Sequence, residues 1–139
     1  MGQPSYEIIA IIGAGGAIGN AFLDQLARRN GTRRIHAFSR TGLANDQPCV
    51  TSYTIDYDDE PSIERAASLA FADGPLDLVL VTIGILHDGS LMPEKSLRDL
   101  SAENFQRIFM ANTIAPALIA KHFLPKLHKE RRAVFAALR

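Results

Sequence analysis

Five short apolar runs alternate with stretches of helical spacing along this chain, and their order predicts the fold. Residues 7–12 are a β-branched run that ends in glycines, the mark of a buried strand. From Ile18, apolar residues recur at Phe22 and Leu26, with Leu23 and Ala27 beside them, so a helix is predicted that Asn30-Gly31 ends. Residues 34–38 read as a second strand, the polar stretch 41–48 as a loop, and residues 50–55 as a third strand. Asp58, Asp59 and Glu60 then open a helix whose apolar face is Ile63, Ala66, Ala67, Ala70 and Phe71, and Asp73-Gly74-Pro75 stops it. Residues 76–83 are the most hydrophobic run, which predicts a central parallel strand. A loop over 84–100, with a short turn inside, leads to Ser101 as N-cap of a long helix reaching His122, which Pro116 should kink. Residues 132–138 read as a fifth strand. The alternation predicts an α/β fold: a Rossmann-type, doubly wound parallel sheet of five strands in a single domain over residues 1–139.

Composition narrows the function. The 139 residues are 47% hydrophobic and 22% charged, the balance of a folded domain rather than a disordered one. Lys plus Arg and Asp plus Glu both number 15, and this neutrality speaks against a nucleic-acid partner. Cys49 is the single cysteine, so an internal disulfide or a multi-cysteine metal site is excluded, and a cytoplasmic setting fits. No run approaches the roughly 18–20 apolar residues that span a bilayer. The start lacks signal-peptide character, and Tyr6 stands where myristoylation requires Ser or Thr, so no membrane partner is expected. HExxH, CxxC and EF-hand patterns are absent from the sequence, and no metal site is expected.

The candidate chemistry lies where the first strand meets the first helix. Gly13, Gly15, Gly16 and Gly19, with Ala17 and Ile18 between them, form a glycine loop at that junction. A dinucleotide pyrophosphate needs close backbone approach and N–H groups aimed at it, which such a loop and the positive end of the following helix supply. After the second strand, an NAD site usually places an acid on the ribose 2′-OH. Here Ser39 is neutral and Arg40 could pair with a 2′-phosphate, so NADP is favoured over NAD. The bland alternatives are a ligand-free turn for the loop and a polar strand end for Ser39-Arg40.

The loop Ile12-Gly13-Ala14-Gly15-Gly16-Ala17-Ile18-Gly19 resembles the TGxxxGxG loop of the short-chain dehydrogenase/reductase family, with Ile12 for the threonine and Ala17 for the middle glycine. The resemblance continues through nearly all of the chain, and within the family it looks nearest to the C-factor-like reductases. It implies that Asp56, after the third strand, contacts the adenine, although Asp56 could equally cap a turn. Asp77 matches the family's Asp at the start of the fourth strand and Gly84 the final glycine of its NNAG motif. Val81 and Thr82 replace the two asparagines, whose amides normally tie the sheet around the cofactor. Asn112 matches the asparagine of the catalytic tetrad, which implies a role in holding a water of the proton relay.

What the resemblance implies for function is hydride exchange between NADP(H) and a carbonyl or alcohol substrate. The family's catalytic Ser and Tyr-x-x-x-Lys follow the fifth strand, where this sequence ends. The sheet is therefore expected to be incomplete at its C-terminus, with the intact protein a homo-oligomeric enzyme and the 139 residues alone inactive. The rival reading is a non-catalytic dinucleotide-binding protein or sensor. His87, a lone loop histidine, is read as incidental, and the basic run Lys121, His122, Lys126, His128 and Lys129 as a solvated helix end.

Overall fold

The computed structural model describes residues 2, 4–85 and 92–138, so His87 lies outside the described residues. Five strands form one parallel sheet: β1 (Ile8–Ile12), β2 (Arg34–Ser39), β3 (Val50–Thr54), β4 (Leu78–Val81) and β5 (Val134–Ala137). Their order across the sheet is β3-β2-β1-β4-β5. Because β1 and β4 are both central, their residues are buried on both faces, and this accounts for their unbroken apolar runs. The observed strands are shorter than expected at β4 and β5. Leu76, placed in the fourth strand by its hydropathy, instead makes an isolated parallel bridge to Leu127.

Helices cover both faces of the sheet. On one side, Ile8, Ala10 and Ile12 of β1 pack with Ile63, Ala66, Ala67 and Ala70 of helix α2 (Glu60–Ala70). On the other, Ile9 and Ile11 pack with Leu23 and Leu26 of helix α1 (Ala17–Ala27). Asp59 caps α2, its carboxylate accepting from the Ser62 amide at 3.2 Å. Phe71, expected on the buried face of that helix, is 41% exposed, because the chain has already turned into a short 3-10 segment there.

The buried face of α1 also differs from the expected one. Gly19, Leu23 and Leu26 turn inward, while Ile18 and Phe22 are exposed. The rotation of the helix is set by the close approach of Gly19 to the turn before it. A Cβ at position 19 would stand 2.0 Å from the Gly13 carbonyl oxygen, so only glycine fits on that side.

The long helix starts as expected, with Ser101 Oγ accepting from the Asn104 amide at 3.1 Å. It runs as α3 (Ala102–Phe109), a π-helical turn Met110–Ile114, and α4 (Ala115–Phe123). Pro116 sits at the start of α4 and cannot donate to the carbonyl of Asn112 four residues back. The π turn accommodates this interruption of the ladder, with the Ala115 amide donating to the Met110 carbonyl five residues back. Ile119 and Phe123 of α4 complete the core on the α2 side.

At the opposite end of the sheet from the glycine loop, Asp77 joins three strands. Its buried carboxylate accepts from the amides of Glu7 (2.9 Å) and Ile8 (3.0 Å) before and in β1, and from Arg131 Nε (3.0 Å) and Nη2 (2.6 Å). Its carbonyl accepts from the Val134 amide of β5 at 2.9 Å. A charged side chain is tolerated here because every oxygen lone pair of consequence has a donor.

Candidate functional site

The C-terminal ends of β1, β2, β3 and β4 open into one cavity of about 620 Å³, closed on the far side by α3 and the π turn. In an open parallel sheet this is where a ligand binds, and the volume suits a cofactor-sized molecule.

The floor is the glycine turn. The amides of Gly13 and Ala14 both donate to the Phe38 carbonyl at 3.0 Å, which fixes the turn to the end of β2. Gly13 has φ +92°, a left-handed conformation that a side chain would strain, and a Cβ there would also stand 2.7 Å from Thr82 Oγ1. Thr82 Oγ1 lies 3.0 Å from the Ile12 carbonyl oxygen and 3.1 Å from that of Gly13, sharing its proton between them. The tie that the missing asparagine was expected to remove is therefore made by a hydroxyl. Gly16 is the N-cap of α1 and offers no side chain, and the first turn carries no acid. The first helical hydrogen bond runs from the Asn20 amide to the Gly16 carbonyl. The amides of Ala17, Ile18 and Gly19 precede it and have no helical acceptor, which leaves the end of α1 set for an anion.

One rim is the end of β2. Ser39 is buried, and its Oγ has no hydrogen-bond partner among the described residues. Its Cβ sits where a Cβ on Gly15 would come within 3.3 Å, so the glycine permits the loop to lie against Ser39. Arg40 follows on the exposed rim. Beyond it, Asp56 caps a turn, its carboxylate accepting from the Asp58 amide at 2.9 Å, and it also lines the cavity. The two readings of Asp56 are compatible, since a carboxylate keeps lone pairs to spare.

Tyr57 lines the same cavity, and sequence reasoning missed it. Burial pushes its hydroxyl up to about 12, with Arg40 opposing weakly, so it is a neutral phenol at physiological pH. The nearby Gly13 amide is committed to Phe38, and the Tyr57 hydroxyl has no partner among the described residues.

Asn112 stands behind the cavity wall rather than on it. Its side chain pairs with the backbone of Ile85: Oδ1 accepts from the Ile85 amide and Nδ2 donates to its carbonyl, both at 2.7 Å. Gly84 permits this approach, because a Cβ there would be 3.1 Å from Asn112 Oδ1. Asn112 thus fastens the π turn to the segment after β4.

Of the expected site residues, Gly13, Gly15, Gly16, Ser39, Arg40, Asp56 and Gly84 line the cavity. Ala17, Ile18, Gly19 and Asn112 do not. Gly19 is buried beneath the turn, and Ile18 points outward at 60% exposure. The wall formed by Gln106, Arg107, Met110 and Ala111 was not anticipated.

These residues fit a dinucleotide on structural grounds: an unpartnered buried hydroxyl, a cradle that Cβ atoms would fill, and free amides at a helix start. No group of three or more His, Cys, Asp or Glu arranged to hold a metal occurs among the described residues. No helix among them is long and apolar enough to cross a membrane.

By sequence, the chain matches no protein-family profile and no curated protein. By structure it matches many solved chains. A doubly substituted short-chain dehydrogenase/reductase of Serratia marcescens superposes with TM-score 0.76 at 16% identity, covering 94% of this chain and 55% of that one. NADPH-bound carbonyl reductase from chicken fatty liver gives 0.71 at 21% identity, over 88% of this chain and 49% of that one. The NADH-dependent reductase A1-R′ complexed with NAD gives 0.75 at 16% identity, over 96% and 59%. This chain spans about half the length of these structures. Over that half, its fold is the Rossmann-type fold of the short-chain dehydrogenase/reductases.

Proposed function

We propose that this chain binds NADP(H) and belongs to an oxidoreductase that exchanges hydride between that cofactor and a carbonyl or alcohol substrate. The observation that carries the reading is the Gly13–Gly19 turn beside an unpartnered Ser39 hydroxyl and the cationic Arg40. When bound, the nicotinamide cofactor would supply or accept the hydride. The residues of this chain bind and orient it: the glycine turn, through Gly13, Gly15 and Gly16 at the start of α1, meets the pyrophosphate, and Ser39 and Arg40 take the 2′-phosphate. Asp56 stands at the adenine end. Asn112 holds the segment around Ile85 in place and so sets the depth of the cavity.

Proton transfer is a separate requirement. It calls for a group with a pKa near working pH within reach of the reacting oxygen. Among the described residues, the titratable groups lining the cavity are Arg40, Asp56, Tyr57, Asp58 and Arg107, and burial pushes the tyrosine up to about 12. This favours a division of labour in which these 139 residues bind cofactor and turn nothing over alone. The same observation is what supports the second reading, a non-catalytic dinucleotide sensor.

The test is Arg40→Ala, with both cofactors titrated by calorimetry. A charge pair near 4 Å is worth about 1 kcal/mol in water and about 4 at an effective dielectric of 20. Affinity for NADP(H) should fall roughly ten-fold or more, with little change for NAD(H). Equal losses would show that Arg40 does not read the 2′-phosphate. Carbonyl reduction by the 139-residue chain with NADPH, above background, would contradict the division of labour.

A further inference from the structure

Tyr57 has no role in that reading, yet it brings an unpartnered donor to the same cavity. We propose that Tyr57 is a further cofactor-binding residue, its hydroxyl donating to an oxygen that NAD(H) and NADP(H) have in common. This rests on the cavity being a dinucleotide site.

The residue lines the cavity, and its ring packs against the core on the side of the sheet that α2 covers. Its hydroxyl is buried without a hydrogen-bond partner among the described residues. A buried polar group left unpaired is unfavourable, and each such group calls for an explanation. Packing does not supply one, because a phenylalanine ring would fill the same space without that cost.

The position of the hydroxyl narrows what it serves. Tyr57 follows β3 in the chain, but the groups that bear on its ionisation are Arg40 and the backbone of Gly13, so the hydroxyl lies toward the start of the glycine turn. The Gly13 amide is committed to the Phe38 carbonyl and offers it nothing. Burial holds the phenol protonated at physiological pH, so its role is that of a donor in search of an acceptor. The ribose and phosphate oxygens of a dinucleotide are acceptors of that kind. Ser39 and Arg40 stand at the rim for the 2′-phosphate, which leaves the Tyr57 donor to a part that both cofactors carry. Arg40 is exposed, and its long side chain can move aside as a ligand enters.

The experiment titrates the full protein with NADP(H) and NAD(H), comparing wild type with Tyr57→Phe, and melts both proteins in urea without ligand. Tyr57→Phe keeps the ring and removes the donor alone. It should weaken both cofactors by one common factor of about three- to ten-fold, the worth of one hydrogen bond. The ligand-free variant should be at least as stable as wild type, since the hydroxyl it loses is one that the fold does not pair. Unchanged affinities in Tyr57→Phe, while wild type binds, would overturn the role of Tyr57 and leave the site reading intact. A loss confined to NADP(H) would also overturn it, assigning the hydroxyl to the 2′-phosphate. A ligand-free variant less stable than wild type would overturn it as well, because the hydroxyl would then be serving the fold. A wild-type protein that binds neither cofactor would overturn the site reading and this inference together.

Discussion

Thr82 Oγ1 lies 3.1 Å from the carbonyl oxygen of Gly13, so a hydroxyl just after β4 closes the turn that begins the glycine loop. That same carbonyl accepts from the Gly16 amide at 3.2 Å and is the atom a Cβ on Gly19 would strike. One small hydroxyl thus holds the point on which the loop and the first helix converge. Thr82→Val keeps the shape and removes the donor. It should cost about 1 kcal/mol of stability, the ordinary net value of such a bond, and should loosen cofactor binding. Thr82→Ser should restore both. Denaturation and calorimetry on the pair decide it, and a Val variant equal to wild type in both would show that the tie is idle.

A second prediction concerns the other end of the sheet. Asp77→Ala leaves the amides of Glu7 and Ile8 and the Arg131 guanidinium without their shared acceptor. Stranding buried donors costs about 1–3 kcal/mol each group, and the amides are the less exposed members. Arg131→Ala should cost less, because that side chain is 48% exposed and the carboxylate keeps its two amide donors. Urea melts of both variants check the order; an Arg131 variant less stable than the Asp77 variant would contradict it.

The fold's response to acid should be governed in part by His36. This buried residue of β2 has Nδ1 3.2 Å from Tyr53 Oη and Nε2 3.1 Å from the Asp73 carboxylate, close but not aligned as a hydrogen bond. Arg34 shares that carboxylate at 3.6 Å. Burial lowers the His36 pKa below the ordinary 6.5, and Asp73 opposes the shift without cancelling it. The unfolded chain therefore binds the proton more readily than the folded one, and stability rises with pH. The contribution is fully present above 6.5 and is lost as pH falls below 6.5 through the lowered folded value. Chemical denaturation at pH 7.5 and at pH 5 should show the loss, and His36→Phe should flatten it. An unchanged slope in that variant would assign the effect elsewhere.

The order of strands and helices was legible in the sequence because each apolar run is bounded by glycine, proline or acid clusters. The glycine loop was legible for the same reason: its residues are contiguous, and the turn they form is local. What was not legible came from approach in space. Hydropathy gives weight to Ile18 and Phe22, yet α1 turns Gly19 inward because only an absent side chain fits against Gly13. The wall of Gln106 and Arg107 faces Asp56 from some fifty residues away in sequence, a pairing no local pattern encodes. The π turn arises from Pro116 and the Asn112–Ile85 bonds acting together, where the proline alone suggested a kink.

Helix α3 has no buried residue, and its Phe105 and Phe109 rings stack at 6.1 Å while 42% and 53% exposed. Leu97, Leu100 and Ile114 add to the exposed apolar surface nearby in the chain. Such exposure is costly in water, and self-association in the whole protein is the proposed cover. Sedimentation of the full protein should show a dimer or larger species, and Phe105→Glu with Phe109→Glu should shift it toward monomer. A wild type that is monomeric at high concentration would contradict this.

The central claim is that the Gly13–Gly19 turn receives a dinucleotide, and backbone NMR during an NADP(H) titration tests it most directly. The account predicts saturable shifts at the amides of Gly15, Gly16, Ala17, Ile18 and Gly19, followed by Ser39 and Arg40 as the 2′-phosphate seats. Saturating cofactor that leaves these amides unmoved, or moves only residues outside the cavity, would contradict it.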